Sequence, residues 1–126
     1  MALVQSKALV LFAHGARDER WAEPINRIQQ ILVQRVDGGV QVHKAYLELM
    51  TPTLPSLVTE LAARQVEHII VVPIFLGQGG HVRNDLPRLI QDLQSAYPEL
   101  TFSLAEAIGE NQTVLNAIAN ACLNCI

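Results

Sequence analysis

The chain has 126 residues, half of them hydrophobic and 17% charged, with a formal net charge of −3. The longest apolar runs, ALVLFA and IIVVPIFLG, fall far short of the ~20 residues of a membrane-spanning helix. Nine Lys plus Arg leave no basic footprint for nucleic acid, so neither membrane nor nucleic acid is an expected partner. The length suits a single domain over residues 1–126 with a core that needs no metal or disulfide staple. No basic, cleavable leader precedes the first apolar run, and the two cysteines make no disulfide framework, so the expected location is cytoplasmic.

Lys7 to Ala13, KALVLFA, is apolar after its first residue, which predicts a strand covered on both faces. From Pro24 to Val36, the residues Ile25, Ile28, Leu32 and Val36 recur at helical spacing, and the glycines of DGG at 37–39 end that helix. Val40 to Tyr46 alternates and reads as a half-exposed edge strand. Thr53 is a good N-cap for a second helix, with Pro55 in its first turn and Leu54, Leu57, Val58 and Leu61 facing inward. Ile69 to Phe75 is a second continuous apolar strand, with Pro73 expected near its exit, and the glycine loop GQGGHVRN follows. A third helix is expected from about Asp85, with Pro87 in its first turn and Leu86, Leu89, Ile90, Leu93 and Tyr97 inward. Thr101 to Ala105 alternates as the other edge strand. A fourth helix from about Asn111 carries a stripe of Val114, Leu115, Ile118 and Cys122, on which Cys122 is expected to pack.

Strands alternating with helices predict an α/β fold with a parallel sheet, right-handed crossovers and helices on both faces. Placing the two continuous strands centrally gives the order 2-1-3-4, a flavodoxin-like three-layer sandwich. Ligands of such sheets bind beyond the C-terminal strand ends where the winding reverses, here between strands 1 and 3.

His14 directly follows strand 1, His81 lies in the expected loop after strand 3, and Glu48 follows strand 2. All three therefore border the predicted crevice. Two imidazoles and a carboxylate suit a divalent ion such as Co²⁺, Ni²⁺, Fe²⁺ or Zn²⁺ and can also relay protons near neutral pH. The plainer reading of each is a strand-end or loop residue hydrogen-bonding at the surface. Arg17, Arg20 and Arg83 lie near the histidines in sequence and have the geometry to hold carboxylates. Gly80, beside His81, suits a close backbone approach to a flat or bulky group. Gly15 suits a sharp turn out of the sheet. His43, within an edge strand, and His68, at the opposite end of the sheet, read as structural. Cys122 and Cys125 form one C-x-x-C without a second pair, a weak metal or redox signal.

The stretches LFAHGARDERW, YLELMTPTLPSLV and VVPIFLGQGGHVRNDLP together resemble the small class II tetrapyrrole chelatases, the sirohydrochlorin cobaltochelatase and ferrochelatase family. The resemblance spans Lys7 to about Ile118, and Ala16 stands where many members have serine. It implies a flavodoxin-like fold, a homodimer of single-domain chains, and insertion of Co²⁺ or Fe²⁺ into sirohydrochlorin without a nucleotide, on a route to cobalamin or sirohaem. It assigns metal binding to His14 and His81 and a carboxylate role to Glu48. Arg17, Arg83 and helix N-termini are the implied anchors for the substrate's carboxylates. Nickel insertion and a non-catalytic metal or tetrapyrrole carrier are the alternatives. AHGARD also superficially resembles the histidine phosphatases, but these place a phosphate-binding arginine before the histidine, where this chain has Ala13.

Overall fold

The computed structural model describes residues 6–77 and 79–126, the side chains of Gly80 and His81 excepted. In chain order its elements are β1 (Lys7–Ala13), α1 (Glu23–Arg35), β2 (Val40–Tyr46), α2 (Leu54–Ala63), β3 (His68–Pro73), α3 (Gly80–Ala96), β4 (Thr101–Leu104) and α4 (Gln112–Leu123). Short 3-10 turns occupy Glu19–Ala22 and Ile108–Glu110. The four strands form one parallel sheet in the order β2-β1-β3-β4, as the apolar pattern predicts. No helix among the described residues is long and apolar enough to cross a membrane.

The two faces of the sheet are filled unequally. On one, Val10 and Phe12 of β1, Ala45 of β2 and Ile69 and Val71 of β3 pack against Leu54, Leu57, Val58 and Leu61 of α2 and Leu86 and Leu93 of α3. Leu54, Val58 and Leu61 are fully buried, each worth about 1.5–3 kcal/mol of transfer free energy, so this face dominates the stability. Thr53 caps α2 as expected, its hydroxyl accepting from the Ser56 N–H at 3.4 Å. The opposite face is thinner: Leu11, Ala13 and Tyr46 meet Ala22 and Ile25, with Ile28 and Leu32 of α1 packed alongside.

Two expectations about the helices need correction. The third helix begins at Gly80 rather than near Asp85, with Gly79 in extended conformation as its N-cap. Val82 and Leu86 are both buried and four residues apart, so the inward stripe starts a turn earlier than the glycines suggest. Pro87 consequently lies inside the helix. The stripe of α4 does not face the core: Leu115 and Ile118 are exposed, and so is Cys122. Helical periodicity identifies an apolar face but not what covers it.

His68 sits at the entrance of β3 and bonds Ser103 Oγ at 2.7 Å, far from the C-terminal edge, in keeping with a structural role. His43, half-buried on β2, lies 2.8 Å from Gln41 Oε1. Burial first, then the Arg64 guanidinium, push its pKa below the ordinary histidine value, partly opposed by Glu60. The unfolded chain thus binds the proton more readily than the native one, and stability falls as pH drops below about 6.5 toward the lower native pKa. The expected result is a lower urea midpoint at pH 5.5 than at pH 7.5, with a smaller difference in His43→Gln. An identical difference in both proteins contradicts it.

Candidate functional site

Backbone pairing between β1 and β2 continues beyond the last residues of both strands. The Leu47 N–H donates to the Ala13 carbonyl at 2.9 Å, and the Glu48 N–H donates to the His14 carbonyl at 3.1 Å. Two residues far apart in sequence are thereby fixed side by side on the C-terminal edge of the sheet. The His14 Nδ1 lies 4.0 Å from Glu48 Oε1, with the two side chains 48% and 58% exposed. Gly15 makes this approach possible. Its φ is +95°, and a Cβ there would sit 1.8 Å from the Glu48 carbonyl oxygen, so both conformation and space require glycine.

A similar device holds the neighbouring loop. The Ile74 N–H donates to the Phe12 carbonyl at 2.7 Å, extending the β1–β3 pairing past Pro73. The Gly109 N–H then donates to the Phe75 carbonyl at 2.8 Å, and a Cβ on Gly109 would lie 1.8 Å from the Leu76 carbonyl oxygen. The turn at 108–110 therefore supports the β3–α3 loop by direct backbone contact. His81 is the second residue of α3, not a loop residue. Because β1 and β3 are adjacent and parallel, the segments carrying His14 and His81 leave the sheet at the same edge. The side chain of His81 and that of Gly80 lie outside the described residues.

The arginines separate in space. Arg17 lines a hollow of about 310 Å³ with Glu19, Leu49, Met50 and Thr51, on the β2 side of the edge. Arg83, whose N–H donates to the Gly79 carbonyl at 3.1 Å, lines a hollow of about 360 Å³ with Leu104, Glu106 and Glu110, on the β4 side. Arg20 is engaged by Asp18, through a bidentate contact whose closest approach is 2.9 Å. That pairing holds the Asp18 carboxyl below its usual range and raises the guanidinium.

Leu49 escapes a sequence reading, whereas Leu76, with Leu11 and Phe75, reads from the sequence as core or as a lining for the flat ring that the resemblance implies. Leu49 follows Glu48 directly, is 59% exposed and has φ +67°, an uncommon conformation for a side-chain-bearing residue. Leu76 is 69% exposed, although a leucine directly after a buried strand reads as core. Trp21 is partly exposed and tilted against Tyr46, with ring centroids 6.5 Å apart. Burial raises the Tyr46 pKa. These exposed leucines leave apolar surface on the segments that follow β2 and β3. Only the fold reveals their exposure.

Among the described residues no three His, Cys, Asp or Glu side chains form a metal-binding group. The His14–Glu48 separation of 4.0 Å is wider than the ~3.4 Å between two donors of one tetrahedral ion, so a shared ion would require the two exposed side chains to close by about half an ångström. At this distance the pair is too long for a direct hydrogen bond.

Gly15→Ala tests the local construction. It is expected to cost more than about 1 kcal/mol in urea unfolding, because a Cβ meets both a forbidden φ and a backbone oxygen. A variant as stable as the wild type contradicts this geometry.

Residues 8–124 match the family CbiX. A sirohydrochlorin cobaltochelatase of Methanothermobacter thermautotrophicus is 38% identical over 82 residues, covering 65% of this chain and 56% of the relative. A sirohydrochlorin ferrochelatase of Bacillus subtilis is 27% identical over 118 residues, covering 89% of this chain and 42% of the relative. The chain thus spans about half the length of these curated relatives. The crystal structure of a protein assigned to cobalamin (vitamin B12) biosynthesis, a CbiX protein of Marinobacter aquaeolei VT8, superposes with a TM-score of 0.81 at 33% identity, covering 94% of this chain and 95% of that one. With its sheet order and a match running from the first strand to the end of the last helix, this chain belongs to the CbiX family.

Proposed function

We propose that the chain inserts a divalent metal, Co²⁺ or Fe²⁺, into sirohydrochlorin at the C-terminal edge of its sheet, without a nucleotide. The observation that carries this reading is the His14–Glu48 pair, fixed at 4.0 Å on that edge in a member of a family whose relatives are named for this reaction. The metal is a substrate here. His14 and His81 hold the partly dehydrated ion on one side of the ring, and Glu48 serves as third ligand or proton acceptor. Two pyrrole N–H protons must leave as the ion enters, and a carboxylate beside an imidazole can take them in turn. Intrinsic affinity at such a site rises from Fe²⁺ through Co²⁺ to Ni²⁺, so supply and geometry select the metal, and nickel is a chemically allowed substitute.

Sirohydrochlorin carries eight carboxylates around a flat ring. Arg17 and Arg83, on opposite flanks of the edge, are spaced to hold acidic groups on different sides of it. The first N–H groups of α3, beginning at Gly80, add an electropositive helix terminus. Leu49 and Leu76 would contact the ring face. The working form is a homodimer of cytoplasmic, single-domain chains, which doubles the length of one copy toward that of the longer relatives.

The test mixes purified protein, sirohydrochlorin and Co²⁺ anaerobically and follows the absorbance change on insertion. His14→Ala and His81→Ala should each slow it by about 10²-fold or more. Full activity in both variants overturns the site. One binding event per chain without multiple turnovers indicates a carrier instead. Leu49→Gly should leave thermal stability unchanged or slightly higher, since it relieves the positive φ, while KM for sirohydrochlorin rises several-fold. An unchanged KM removes Leu49 from the ring contact.

A further inference from the structure

Trp21 is the one tryptophan of the chain, and the residues that follow His14 fix its position. Asp18 caps the 3-10 turn Glu19–Ala22: its carboxylate accepts from the Arg20 N–H at 2.9 Å and pairs with the Arg20 guanidinium, while the Trp21 N–H donates to the Asp18 carbonyl at 3.0 Å. The next residue, Ala22, is buried in the cluster that contains Ile25 and Tyr46. The turn is therefore anchored at both ends and presents Trp21 from a fixed base. Arg20, which reads from the sequence as a carboxylate holder, has its guanidinium engaged within this turn instead.

The indole leans on the Tyr46 ring, with centroids 6.5 Å apart and ring planes at 57°. Tyr46 is buried, ends β2, is the register partner of Ala13 and precedes Glu48 by two positions. An indole resting on it stands beside the ends of both strands that carry the His14–Glu48 pair. Met50 joins this spot to the Arg17 hollow, because it packs against the cluster that holds Tyr46 and also lines the hollow with Leu49. Yet Trp21 is 41% exposed. Shielding Tyr46 needs apolar area that a leucine supplies, so a partly open indole beside a cationic hollow exceeds that duty. Tryptophan offers a broad, rigid aromatic face at little cost in side-chain freedom, which suits a flat conjugated partner.

We propose that Trp21 is the surface on which the conjugated ring of sirohydrochlorin stacks at the β2 side of the rim, with Arg17 taking a carboxylate from the edge of the same ring. The inference rests on the tetrapyrrole reading above and deepens it, naming the residue that separates a flat conjugated ligand from a flexible polyacid. A guanidinium holds the carboxylates of either, whereas an aromatic face favours only the first.

The test is an anaerobic absorbance titration of metal-free sirohydrochlorin with the wild type, Trp21→Leu and Trp21→Phe, so that binding is read without metal insertion. Trp21→Leu keeps an apolar cover over Tyr46 and loses the aromatic face; Trp21→Phe keeps a smaller face. Trp21→Leu should bind about 5-fold or more weakly and lose the red shift that stacking gives the ring's main absorption band, and Trp21→Phe should recover most of both. Equal affinity and equal band shift for the wild type and Trp21→Leu overturn the stacking and leave the tetrapyrrole reading in place. Equal weakening in both variants, or loss of the native circular dichroism in Trp21→Leu, marks the indole as packing and overturns the stacking too. A wild type that does not bind sirohydrochlorin overturns the tetrapyrrole reading itself, and the role of Trp21 with it.

Discussion

The arrangement depends on a parallel ladder that does not stop where its strands do. Two further backbone hydrogen bonds, from Leu47 to Ala13 and from Glu48 to His14, continue the β1–β2 pairing onto the rim. They convert a separation of more than thirty positions in sequence into one fixed pair of side chains. Gly15 is the condition for that continuation, because any Cβ at its position would occupy the place of the Glu48 carbonyl oxygen. A strand end normally releases the chain into a mobile loop. Here it places an imidazole and a carboxylate with the regularity of a sheet.

The same economy recurs across the rim. Gly109 approaches Leu76 as closely as Gly15 approaches Glu48, so a turn after β4 supports the loop that leads to α3. The β1, β3 and β4 exits are therefore coupled by backbone contact instead of side-chain packing. This leaves the side chains on the rim, Leu49, Leu76, Arg17 and Arg83, free of structural duty and turned to solvent or to the hollows there. Such an edge offers apolar and cationic groups to a ligand, in keeping with the substrate proposed above.

Much of this was legible in the residues. KALVLFA and the apolar run at 69–75 are continuous because both faces of β1 and β3 are covered, and that alone orders the sheet. His14 and Glu48 could be brought to one edge by topology, and Gly15 could be identified as a turn. The structure adds the reason for the glycine, a backbone oxygen at van der Waals exclusion distance. The start of α3 was hidden because Gly79 and Gly80 read as loop residues, whereas the helix reaches back past the buried Val82 to Gly80, with Gly79 as its N-cap. The exposure of α4 was hidden for a different reason. Val114, Leu115 and Ile118 fall on one stripe whether the surface that covers them belongs to the same molecule or to another. Leu49 was unreadable in the same way, and Leu76 was expected in the core but is exposed, since composition gives hydrophobicity without direction.

The most direct test of the central claim is anomalous diffraction from crystals of the full chain soaked in Co²⁺. A cobalt peak within about 2.3 Å of the His14 imidazole, with His81 and Glu48 at its other positions, is the predicted result. Cobalt bound only at sites remote from His14, with the rim ordered and unoccupied, would contradict the assignment of this edge as the place where metal meets tetrapyrrole.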